Sequence, residues 1–145
     1  MPLIQKTAEL KIPVCIHTVP MPLWGDFQLC LVEHIATLWR RVRDAKIVVG
    51  HMGFPRWLDL LVIAPLPGIY VETSWGLPEM VSLFGAEWAT RFVRKIGVDR
   101  VVFGSDWEGT GSKMESQLKL IDGLGLSFDE REKVLGGNVL RALGG

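Results

Sequence analysis

Charge of one sign is missing from this sequence: 16 basic and 16 acidic side chains cancel over 145 residues. No net field draws in nucleic acid or an anionic membrane, so neither is expected as a partner. Cysteine is scarce. Cys15 and Cys30 are too few for a disulfide scaffold and do not form a CxxC pair. Cys15 lies in an apolar run and Cys30 in a helical pattern, so both are expected as buried thiols in a reducing, cytoplasmic setting. Long hydrophobic runs are also absent. The longest, Leu60 to Val71, is roughly twelve residues and contains Pro65 and Pro67, whereas a membrane-spanning helix needs roughly 20. The opening MPLIQKTAELKIPV lacks the basic-then-apolar build of a signal peptide. A soluble protein is expected.

What is present is a repeating pattern. Hydrophobic residues make up 48 % of the chain, enough for one domain with a sizeable core over residues 1–145. Four short β-branched runs, Ile12 to Ile16, Lys46 to Val49, Ile69 to Thr73 and Arg100 to Phe103, are bounded by Gly, Pro or charged residues. They read as strands buried on both faces. Amphipathic helices alternate with them. Apolar residues at 27, 31, 35, 38 and 42 share one helical face. Pro55 stands at the start of a helix over Arg56 to Ala64, which Pro65 stops. Pro78 opens a longer helix with Met80, Phe84, Trp88 and Phe92 at four-residue spacing, capped by Gly97. Ser127 and Glu130 have capping-box spacing before a helix to Leu135, and a last turn runs from Asn138 to Leu143. Pro2 to Leu10 reads as the tail of an earlier helix.

Strands alternating with helices imply βα units on a parallel sheet. Four units are about half of a (β/α)8 barrel, which needs about 250 residues. A self-contained open α/β sheet fits the same pattern, and periodicity does not separate the two.

Three polar residues share one structural phase. His17 follows the first run, His51 the second and Asp106 the fourth. In a parallel barrel all strand C-termini open on one face, where these side chains could converge. Two imidazoles and a carboxylate suit zinc or another divalent metal. Each residue also has a plainer reading: a histidine hydrogen-bonded for structural reasons, or an aspartate capping a turn.

The segments around these residues carry a resemblance. Val48-Val-Gly-His51-Met-Gly-Phe-Pro55 looks like the strand-six segment of the amidohydrolase-related (Amidohydro_2-type) family of metal-dependent hydrolases. Gly68-Ile-Tyr-Val-Glu-Thr-Ser74 resembles its strand seven, Val101-Val-Phe-Gly-Ser-Asp106-Trp its strand eight, and Gly136-Gly-Asn138-Val-Leu-Arg141 its closing helix. The match runs in order over almost the whole chain. It implies a half-barrel, the C-terminal half of a TIM-type (β/α)8 barrel. It implies His17 as a strand-five metal ligand and Asp106 as a strand-eight ligand that also handles a proton. His51 would be a metal ligand or a group that polarises the substrate. The expected cofactor is a divalent metal, zinc first and manganese as the alternative, making hydroxide available near neutral pH.

One part of the family pattern is missing. The first-strand His-x-His pair has no counterpart in this chain. The remaining histidine, His34, lies beside Glu33 in a helix and reads as solvated surface. Gly109-Thr-Gly-Ser-Lys113 fails the phosphate-loop spacing, and no serine sits in a GxSxG elbow. Trp24, Trp75 and Trp107 follow strands and are expected to line a pocket, or else to pack at its rim. Arg56 is a candidate partner for a substrate carboxylate. Trp39, Trp57 and Trp88 lie in helices and read as packing residues.

Two functions follow as expectations. One is metal-assisted hydrolysis of a small carboxylate, lactone or amide substrate, or non-oxidative decarboxylation by the same kind of site. The other is a non-catalytic half-barrel that self-associates as a homo-oligomer, or is completed by another chain, through its exposed edges.

Overall fold

The computed structural model describes residues 2–20, 31–107 and 111–144. Four parallel strands form one sheet in the order β1-β2-β3-β4: β1 Val14–Ile16, β2 Ile47–Val49, β3 Ile69–Glu72 and β4 Val101–Val102. Each strand pairs with the next in sequence, with Val14 opposite Ile47, Ile47 opposite Ile69, and Val71 opposite Val101. Strand order that never reverses is the winding of a barrel. A doubly wound open sheet turns back at a switch point. The half-barrel expectation is the one the structure carries.

The helices are α1 Pro2–Glu9, α2 Val32–Arg41, α3 Leu60–Ile63, α4 Gly76–Phe84, α5 Ala86–Ile96, α6 Gly111–Asp122, α7 Phe128–Glu132 and α8 Asn138–Leu143. Among the described residues, the core lies on one face of the sheet. There Ile47, Val49, Ile69, Val71 and Val101 are fully buried and cluster with Ile35 of α2, Leu60 of α3, Met80 of α4 and Val93 of α5. The alternate positions, which point to the opposite face, are more open on β1 to β3, where Cys15 is exposed and Val48, Tyr70 and Glu72 are half-buried, while Val102 of β4 is buried. The expectation of strands buried on both faces is therefore corrected. Half of a barrel leaves its would-be interior without the strands that would fill it. The same geometry corrects the expectation for Cys15, whose thiol belongs to that open face. Cys30 lies outside the described residues.

Two helix boundaries also differ. The Met80 to Phe92 stripe does not ride one helix: Gly85 takes φ 83° and separates α4 from α5, a conformation only glycine adopts freely. Phe84, Trp88 and Phe92 nevertheless continue as an aromatic ladder, with centroids 4.9 and 5.3 Å apart. The turn expected at Pro55 begins instead as a 3-10 turn at Trp57, followed by α3. Residues 27–30 of the expected second helix lie outside the described residues.

The C-terminus follows its sequence signals closely. Ser127 and Glu130 form a reciprocal capping box. Asn138 is wholly buried, and its side-chain amide donates to the carbonyls of Val98 and Val101, 2.7 Å each. The closing helix is thereby fastened to the start of β4.

Candidate active site at the strand ends

The strand ends are where the backbone departs from ordinary geometry. His51 and Met52 after β2, Trp75 after β3 and Asp106 after β4 all hold positive φ, between 48° and 55°. Non-glycine residues in that region cost energy, and such strain concentrates where side chains must be aimed.

His17 and His51 are brought together. Nδ1 of His17 lies 2.9 Å from Nε2 of His51, the rings crossing at 78° with centroids 4.7 Å apart. Each ring is held at its far nitrogen as well. Nε2 of His17 is 2.7 Å from the Val19 carbonyl, and Nδ1 of His51 is 2.9 Å from Ser74 Oγ. His51 is 8 % exposed and Ser74 1 %, so the contact between them is shielded from bulk water, whereas His17 is exposed.

Behind Ser74 stands Glu72, at the end of β3. Its Oε2 accepts the Ser74 hydroxyl at 2.6 Å and the His51 backbone N–H at 3.1 Å, while Oε1 accepts the Ser74 backbone N–H. Room for this carboxylate comes from Gly104, where a Cβ would overlap Glu72 Oε1 at 1.7 Å. Gly76 serves similarly, since a Cβ there would sit 2.0 Å from the His51 carbonyl oxygen. Sequence reasoning missed Glu72 and Ser74. The signal was present: they close the third strand at the phase where His17, His51 and Asp106 close the other three.

Asp106 occupies the expected strand end, but its carboxylate pairs with Lys113 at 3.2 Å. Among the described residues no group of three His, Cys, Asp or Glu side chains is arranged to hold a metal ion. The expected triad is thus represented by a histidine pair and a separate aspartate. The pair itself fits a divalent ion. Two nitrogens bound to one metal at about 2.0–2.1 Å lie roughly 2.9–3.4 Å apart. The outer nitrogens of both rings are hydrogen-bonded, to the Val19 carbonyl and the Ser74 hydroxyl, and metal-bound imidazoles receive support of that kind.

The aromatic and basic candidates separate. Trp75 packs against His51, centroids 6.3 Å apart, and stacks on Phe54 at 6.4 Å. Trp107 is 65 % exposed, and Trp24 lies outside the described residues. Arg56 is engaged away from the histidines, with Glu33 at 3.0 Å and Asp59 at 2.6 Å. His34 is exposed on α2. The second half of the segment Gly109 to Lys113 enters α6, and residues 109–110 lie outside the described residues. No described helix is long and apolar enough to cross a membrane.

Comparison with known proteins matches this architecture. An uncharacterised TIM-barrel protein from Bordetella bronchiseptica superposes with a TM-score of 0.69 at 22 % identity, over 98 % of this chain and 49 % of that one. A dihydroxybenzoic acid decarboxylase from Polaromonas, solved with bound manganese and 2-nitroresorcinol, gives 0.68 at 19 % identity, over 98 % and 52 %. A 5-carboxyvanillate decarboxylase from Sphingomonas paucimobilis gives 0.64 at 18 %, over 98 % and 52 %. The chain thus spans about half the length of the solved structures it matches. No curated protein sequence matches it significantly. The amidohydrolase family model (Amidohydro_2) matches residues 1–145 in full, and the chain belongs to the amidohydrolase family.

Proposed function

We propose that this chain forms the C-terminal half of a divalent-metal-dependent active site acting on a small carboxylate substrate, by hydrolysis or by non-oxidative decarboxylation. The observation that carries the reading is the opposed pair of imidazole nitrogens, each ring anchored at its outer nitrogen, at the strand C-termini of an amidohydrolase-family fold. His17 and His51 would hold the ion, zinc or manganese. Bound there, the ion supplies positive charge that polarises a substrate oxygen. Asp106 takes or returns the proton, with Lys113 3.2 Å from its carboxylate. Trp75 forms the apolar wall next to His51, Trp107 extends the rim, and Arg56 receives a carboxylate on turning from Glu33 and Asp59. Hydroxylated benzoates are the first substrates to try, because two of the solved relatives are named as decarboxylases of such acids.

Metal analysis tests this directly. The purified chain should bind about one equivalent of zinc or manganese, lost in His17→Ala and in His51→Ala. No binding at saturating metal sinks the proposal for this chain.

A second reading has its own observation. On the face that carries Cys15, Val48 and Tyr70, the first is exposed and the other two are half-buried, and the chain spans about half of each solved relative. A non-catalytic half-barrel that pairs through this face, with itself or with another chain, follows from that. A monomer at micromolar concentration in sedimentation would remove the self-association.

A further inference from the structure

We propose that Glu72 and Ser74 are positioning residues for His51, holding its ring in the Nδ1–H tautomer so that Nε2 is bare and directed at His17. The inference follows from which groups own protons. An ionised carboxylate only accepts, and a hydroxyl has one hydrogen to give. Ser74 Oγ lies 2.6 Å from Glu72 Oε2, so the hydroxyl proton is spent on that contact. Two backbone N–H groups, from His51 and Ser74, converge on the same carboxylate. Only lone pairs of Ser74 Oγ then remain for the 2.9 Å contact with His51 Nδ1, and the imidazole must donate there. The reverse arrangement, with Ser74 donating to the ring, would set two acceptors against each other at 2.6 Å. Because the Val19 carbonyl takes the His17 Nε2–H, His17 Nδ1 and His51 Nε2 are then both without a hydrogen at 2.9 Å, a contact that a cation or a shared proton between them completes.

Glu72 does not reach the ring by itself. Its Oε2 is 3.9 Å from His51 Nδ1, beyond hydrogen-bond length. Ser74 is therefore the link, and the backbone around the carboxylate is the anchor. Gly104 completes the cradle by leaving the space that Glu72 occupies. A neutral imidazole with Nδ1 protonated has its lone pair on Nε2, the nitrogen facing His17 Nδ1. That nitrogen is the one a cation would need.

The purpose assigned to the relay rests on the metal-site reading; the tautomer itself needs only a cation or a shared proton between the two inner nitrogens. Long-range proton–nitrogen correlation reads it on the zinc-loaded full chain, and on the metal-free chain at a pH just below the ordinary imidazole value of about 6.5, where the two rings can keep one proton between them. His51 should show the Nδ1–H pattern. Ser74→Ala should shift it toward the Nε2–H form, and Ser74→Thr, which keeps a hydroxyl, should restore it. A wild-type His51 in the Nε2–H form overturns the proposal, as does a tautomer unchanged in Ser74→Ala. Zinc titration then reads the consequence: Ser74→Ala should weaken binding about 10–100-fold, with recovery in Ser74→Thr. Equal zinc affinity in wild type and Ser74→Ala removes the positioning role. Absence of zinc binding in the wild type overturns the metal-site reading, while the nitrogen shifts still decide the relay.

Discussion

His17 Nδ1 faces His51 Nε2 at 2.9 Å, and neither ring can turn without giving up its outer contact, with Val19 in one case and Ser74 in the other. The pair therefore acts as one unit with two donor atoms.

Removing either histidine should cost nearly as much as removing both. His17→Ala and His51→Ala are each expected to lower zinc affinity at least tenfold, and the double variant should add little. The coupling energy should be about 1–3 kcal/mol, within the range for residues in one network. Strictly additive losses in a double-mutant cycle by calorimetry would show that the two rings bind nothing in common.

Gly104→Ala should destabilise the fold by about 1–3 kcal/mol, because its Cβ falls on the Glu72 carboxylate and forces the side chain out of its cradle. Chemical denaturation measures this. A midpoint equal to wild type would mean that Glu72 is not seated against Gly104.

Asn138→Ala leaves the carbonyls of Val98 and Val101 without their buried donor. The expected loss is about 1–3 kcal/mol. Asn138→Asp, which replaces the donating amide with an acceptor, should be worse than Ala. The opposite ranking in thermal melts would contradict the clamp.

Acid should release the cap of α7. The Arg94 guanidinium, and then the Ser127 backbone N–H, hold the Glu130 carboxyl down at about 2 against an ordinary 4.5. A folded-state value below the unfolded one gives stability that is complete above about 4.5 and disappears as the pH falls toward about 2. Glu130→Gln should lower the urea midpoint at pH 7 and progressively less at lower pH. A gap that stays constant between pH 7 and pH 2.5 would rule this out.

Cys15 should be reachable but slow. The residue is exposed at the open face of β1, while partial desolvation of its thiol by the surrounding chain, and then the Glu72 carboxylate, push that thiol up from the ordinary 9.0. In a Cys30→Ser background, alkylation in the native state should rise only at a higher pH than for a free cysteine, since thiolate is the reacting form. Glu72→Gln should move the profile back toward lower pH. An unreactive Cys15 in the folded chain would indicate that something covers this face.

Much of the fold was legible because the strands are short, apolar and punctuated. Val48-Val-Gly-His51 and Val101-Val-Phe-Gly-Ser-Asp106 each announce a strand end by the change from β-branched to polar. Ser127 and Glu130 announced a cap through local chemistry that needs no tertiary context. Other features depend on contacts that no local pattern encodes. Glu72 sits at the end of a strand like any edge carboxylate, and its importance arises only once Gly104, some thirty residues later, is laid beside it. Asp106 has the expected strand phase, yet phase does not specify which way the side chain turns, and Lys113 engages it. The break at Gly85 was hidden by an aromatic stripe that keeps its spacing across two helices.

The unbroken strand order has a consequence for how the molecule is made. Among the described residues every sheet pairing joins a strand to its immediate successor, so none of these four strands waits for a distant partner among them. Each βα unit emerging from the ribosome meets a finished template, and assembly can proceed vectorially from β1 to β4. Each loop closed along the way spans one unit, which keeps the entropic cost of each addition modest.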